Sequence, residues 1–174
     1  VLLLKKYNIK DKIGANILLN NFINGKNNNT FLEEVNYFQL FELSNEEIDN
    51  ILDNIEDKEI KLYLDIIYYT YKDLKDISIL GWDLANAGII LEYCFLSEYY
   101  SKSEYLEKCY YISNKIQNNF NGYDDYYNSI VSGYIFLNLF EDNFEKNFNE
   151  FKIKLDQNFK KDLDWKLNLN FYSN

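Results

Sequence analysis

Asp83 and Asn86 stand early in an otherwise almost wholly apolar run, Gly81-Trp82-Asp83-Leu84-Ala85-Asn86-Ala87 and on to Leu96. Three residues apart on a helix, they point to adjacent faces. A buried carboxylate is costly unless paired. Asp83 therefore needs a Lys, a Tyr hydroxyl, a backbone N–H or a helix N-terminus, or else it is an acid or base whose pKa its surroundings have tuned. It lies near the start of its own helix, where the helix dipole favours negative charge. That favours a structural role, and Asp83 and Asn86 are expected to be structural polar residues of the core. The enzymatic reading, with Asp83 as acid or base, is the minor alternative.

The remaining chemistry is thin. The chain of 174 residues has no His, no Pro and no Met, and all 18 of its basic residues are Lys. A Ser-His-Asp triad, a His-based zinc site and an arginine clamp cannot be assembled from it. The P-loop, the Rossmann fingerprint, the EF-hand and the nucleophile elbow are absent. Acidic doublets at Glu33-Glu34, Glu46-Glu47 and Asp124-Asp125 diverge by about 100° on a helix, so none is a matched acid/base pair. No cofactor, metal or catalytic residue is expected. Cys94 and Cys109 would each lie about two turns from a shared helix–helix turn, at similar height. They read as two reduced, buried thiols, with a redox pair as the sharper alternative.

Charge is the more informative signal. The formal net charge is −10 and the pI near 4.5. Nucleic acid and anionic membranes need a basic footprint and are not expected as partners. Residues 42–76 hold eleven acidic residues against four Lys. Glu42, Glu46, Glu47, Asp49, Asp53, Glu56, Asp57 and Glu59 form the candidate partner-binding surface. Such a run is either a solvated face or a docking surface whose field steers a basic partner.

The elements that must position these groups are helical. Ser/Thr followed three residues later by Glu, the capping box of a helix start, occurs at Thr30–Glu33, Ser44–Glu47 and Ser101–Glu104. Gly25 reads as a helix stop. The apolar spacing predicts helices at 11–23, 31–41, 45–56, 58–75, 78–99, 102–119, 123–140 and 142–160. Asn27-Asn28-Asn29 reads as a loop. On the third helix Ile48, Ile51, Leu52 and Ile55 make the core stripe, and the fifth, apolar on nearly all sides, is central. Paired Tyr residues, such as Tyr68-Tyr69 and Tyr110-Tyr111, can each set one ring in the core and one at the rim. From Leu163 to Phe171 apolar and polar residues alternate, the period of a half-buried strand. A strand needs a partner, and Val1–Leu4 is the available one. The expectation is a mainly α, single-domain antiparallel bundle of about eight helices over residues 1–174, with a small terminal β-ribbon of residues 1–4 with 163–171. No apolar run reaches the ~20 residues of a membrane span, and the expected location is the cytoplasm. The wealth of Asn, Lys, Ile and Tyr without Arg, Pro or His fits a low-GC bacterial genome.

The Trp82-Asp83-Leu84 helix start, the turn at Glu98-Tyr99-Tyr100-Ser101 into a Ser-x-x-Glu helix, and Tyr123, Asp124, Tyr126 and Gly133 follow in a fixed order. Together with the early Asn24-Gly25 they resemble a bacterial family catalogued as domain of unknown function 1266, over roughly residues 13–140. Asn86 stands where that family commonly has a basic residue, and Tyr replaces its usual Trp near 105 and 123. The resemblance implies an α-helical domain and no activity; some such orphan domains occur beside secreted toxins. These readings give a non-enzymatic protein-binding domain with a basic protein partner. In its most concrete form it is an immunity-type protein that neutralises a basic toxin. A structural or scaffolding interaction domain is the alternative.

Overall fold

The computed structural model describes residues 7–159. They form a mainly α helical bundle: α1 (Lys12–Ile23), α2 (Lys26–Phe38), α3 (Asn45–Asp53), α4 (Lys58–Leu74), α5 (Leu80–Leu96), α6 (Lys102–Asn119), α7 (Tyr123–Asn138) and α8 (Phe144–Phe159). Short 3-10 turns at Leu40–Glu42 and Lys75–Ile77 lead out of α2 and α4. The expected ribbon of residues 1–4 with 163–171 lies outside the described residues.

Four of the starts have a local chemical cause. The Asp11 carboxylate accepts from the Gly14 N–H at 2.8 Å and opens α1. Full capping boxes open α3 at Ser44–Glu47 and α6 at Ser101–Glu104, and Asp57 accepts from the Glu59 and Ile60 N–H groups at the start of α4. These contacts satisfy donors that a helix start otherwise leaves orphaned. The third sequence box is not used. Thr30 lies one turn inside α2, where its hydroxyl bonds back to the Lys26 carbonyl, and Asn27-Asn28-Asn29 is the first turn of that helix rather than a loop. Gly25 both ends α1 and precedes α2, at φ 72° in the left-handed region that glycine adopts without a Cβ penalty.

The core has two main parts. Leu19, Phe22, Ile90, Leu91, Cys94 and Ile112 join α1, α5 and α6. Phe31, Val35, Ile48, Leu52, Ile67 and Phe136 join α2, α3, α4 and α7. α5 packs against α1, α6 and α7, as its apolar composition predicts. It is not covered all round, however: Ile89 and Leu96 are exposed, and Gly88 faces open space. The stripe on α3 is narrower than expected, because Ile48 and Leu52 are buried while Ile51 is 39% exposed. α8 docks through rings. Phe151 stacks on Tyr134 at 4.1 Å, and Trp82 meets both edge-on. No single helix among the described residues is long and apolar enough to cross a membrane.

Candidate functional site

The sequence offers two sites, and the structure keeps them apart in character. The first is Asp83, which is fully buried. It does not serve its own helix. It reaches across to the start of α2, where its Oδ2 accepts from the Asn28 N–H at 2.9 Å and its Oδ1 from the Asn27 Nδ2 at 2.6 Å. Gly25 has no side chain to cap that start, so a carboxylate 55 residues along the chain takes the place of a local cap. Burial pushes the Asp83 carboxyl up to about 6, and the Asn28 and Asn27 donors and the Lys26 charge pull back against that rise.

Asn28 completes the junction. Its side-chain oxygen accepts from the Ile79 N–H at 2.8 Å, and its amide donates to the Asp76 carbonyl at 2.8 Å. One asparagine thus fixes the turn that leads into α5, and Asp83, from inside α5, fixes the helix carrying that asparagine. α7 closes the same junction. The Gly81 N–H donates to the Ser129 hydroxyl at 2.8 Å, and a Cβ at Gly133 would come within 2.3 Å of the Trp82 Cβ. Asn86 is not a core residue. It is half-buried, and its amide donates to the Trp82 carbonyl one turn back. Both Asp83 oxygens are engaged by donors on α2 and the residue is closed to solvent, so the arrangement is one that fixes helices.

The second site is the acidic stretch. All eight candidate carboxylates, from Glu42 to Glu59, are exposed. Four have local work. Glu47 accepts from the Ser44 N–H and hydroxyl, and those bonds hold its carboxyl below the usual range. Asp49 accepts from the Tyr69 hydroxyl at 2.6 Å, Asp53 pairs with Lys61 at 3.1 Å, and Asp57 caps α4. Glu42, Glu46, Glu56 and Glu59 point to solvent with no side-chain bond to other described residues. Exposed apolar side chains stand among them: Phe41, Ile51 and Ile60. The sequence pattern marked the acids but not Tyr69 and Lys61, whose approach depends on α4 lying beside α3.

Both cysteines are free thiols, but only Cys94 is buried; Cys109 is half-buried against the same core group. Burial pushes the Cys94 thiol up to about 11, the opposite of what a reactive thiolate needs. Of the tyrosine pairs, Tyr68 is buried beside a half-buried Tyr69, whereas Tyr110 and Tyr111 both face outward. No group of three His, Cys, Asp or Glu among the described residues is placed to hold a metal ion.

Comparison with known proteins gives a family match: the family described as protein of unknown function (DUF1266) matches residues 3–163. No curated protein and no solved structure matches the chain.

Proposed function

The chain belongs to the DUF1266 family of proteins of unknown function, and from that premise we propose that it is a protein-binding domain. Its exposed carboxylates between Glu42 and Glu59 dock a basic protein, and neutralisation of a basic toxin is the most concrete form of that role. The observation that carries this reading is the surplus. After helix caps and local partners are served, Glu42, Glu46, Glu56 and Glu59 still face solvent, beside exposed Phe41, Ile51 and Ile60. None of those four side chains bonds to another described residue, although Glu46 and Glu59 sit in the first turns of α3 and α4. Apolar anchors within a charged rim are the usual anatomy of a binding patch, and the field of such a rim speeds association with an oppositely charged protein. The buried Asp83, held by Asn27 and Asn28, offers no comparable support for acid–base catalysis.

The test pairs the chain with the protein encoded beside it and measures association and protection of cells. The triple variant Glu42→Lys, Glu46→Lys, Glu56→Lys changes exposed residues only. It should weaken binding by about 100-fold at low salt and remove protection, because charge reversal turns attraction into repulsion. Binding that ignores both the reversal and added salt would sink the proposal.

A further inference from the structure

α7 ends at Asn138 and α8 begins at Phe144, and the turn between them faces the first turn of α4 across an open groove of about 790 Å³. The floor is apolar, with Ile135 and Leu139 buried beneath a half-buried Phe144. Phe140 stands at the edge, 60% exposed. The rim carries Glu59, Glu141, Asp142 and Glu145 against a single Lys58. All four carboxylates are exposed, and the ion pairs Lys12–Glu104 and Lys61–Asp53 among the described residues do not involve them.

We propose that this groove receives an amphipathic, lysine- or arginine-bearing helix of the basic partner, with its apolar side chains on the floor and its cations against the rim. The proposal rests on the reading of the protein as a binder of basic proteins and assigns that partner a second point of attachment. Charge selects the occupant. Nucleic acid and anionic lipid would be repelled by the rim. A second copy of the chain would bring the same acidic rim and a formal net charge of −10 of its own. An amphipathic helix with cationic flanks satisfies floor and rim together, and it docks by anchors spaced three and four residues apart. Glu59 belongs both to this rim and to the acidic stretch, so the two surfaces are continuous.

The probe is a labelled peptide of about 14 residues made of Leu and Lys at helical spacing, compared with a scrambled isomer of the same composition. Fluorescence anisotropy follows its binding to the full chain. The ordered peptide should bind about tenfold more tightly than the isomer, and Phe140→Ser should weaken it about fivefold. The reversal Glu141→Lys, Asp142→Lys, Glu145→Lys, confined to exposed residues, should weaken it about 30-fold. The reversal of Glu42, Glu46 and Glu56 should change it by less than about threefold, because those charges lie outside the groove. Three results would overturn the inference: no binding, equal binding of the two isomers, or insensitivity to both Phe140→Ser and the rim reversal. If only the reversal of Glu42, Glu46 and Glu56 abolishes peptide binding, the groove is refuted and the acidic docking surface stands. If the groove variants act on the peptide while reversal of Glu42, Glu46 and Glu56 leaves the natural partner bound, the groove stands and that surface fails. Sedimentation showing a dimer that Phe140→Ser dissociates would give the groove to a second copy and overturn the proposal.

Discussion

Asp83 and Glu47 are both carboxylates at the start of a helix, and their surroundings are opposite. Glu47 is exposed, belongs to the helix it caps, and closes a reciprocal box with Ser44. Asp83 is buried, belongs to α5, and caps α2. Water solvates the first, so hydrogen bonding decides and its carboxyl is held below the usual range. Little water reaches the second, so burial decides and its carboxyl rises to about 6. The same chemical group thus makes a local, replaceable cap on the acidic surface and a long-range junction in the core. The core junction ties three helices together and keeps its carboxylate from solvent. The surface keeps carboxylates that no side-chain bond to a described residue engages.

The largest effect should come from breaking the junction sterically. A methyl at Gly133 would fall 2.3 Å from the Trp82 Cβ, and neither backbone can yield without separating α5 from α7. Gly133→Ala should cost about 3 kcal/mol, the upper end for overpacking. Urea denaturation would read it as a lower midpoint with an unchanged slope. A loss within experimental error would mean that the α5–α7 crossing is looser than these contacts imply.

Next comes the charge of the junction. The folded pKa of Asp83 is raised above its usual 3.8 to about 6, so between those values the folded state holds more protons than the unfolded one. Stability from this group is therefore full below about pH 4 and falls as pH rises through 6, by up to about 3 kcal/mol. Asp83→Asn keeps an oxygen to accept from the Asn28 N–H and removes the charge. It should flatten the stability profile between pH 4 and 6, measured by denaturation across that range. A profile unchanged by the substitution would show that Asp83 does not titrate there.

The sequence exposed the helices well because their signals are local. Spacing of apolar residues placed all eight, and Ser44 and Ser101 marked starts to within a residue. It failed at residues 26–30 because the cap of α2 is Asp83, far along the chain, and no local pattern in Asn27-Asn28-Asn29 reveals that Asn28 alone would be drawn into the core. Ile51 fits the stripe and so reads as inward, but two apolar rows suffice where α3 meets α4, and the third faces out. Trp82 and Gly133 each looked like isolated motif positions. Their meaning is their contact, which only the crossing of α5 and α7 creates.

The smallest effect belongs to the exposed cap, and its sign with pH sharpens the contrast. Ser44→Ala removes the hydroxyl that accepts from the Glu47 N–H and donates to the Glu47 carboxylate. The helix keeps its packing through Ile48 and Leu52, so the cost should be about 1 kcal/mol, that of a lost N-cap. Glu47 has its folded pKa lowered, so its contribution is present above the unfolded value and is lost as pH falls through the folded one. The penalty of Ser44→Ala should therefore be larger at neutral pH than in acid, whereas the benefit of an ionisable Asp83 over Asn runs the other way. Denaturation of both variants at pH 3.5 and pH 7 would measure the two trends together. Trends of the same sign would mean that burial does not divide these carboxylates, and the distinction between a core junction and a surface with charge to spare would fall with it.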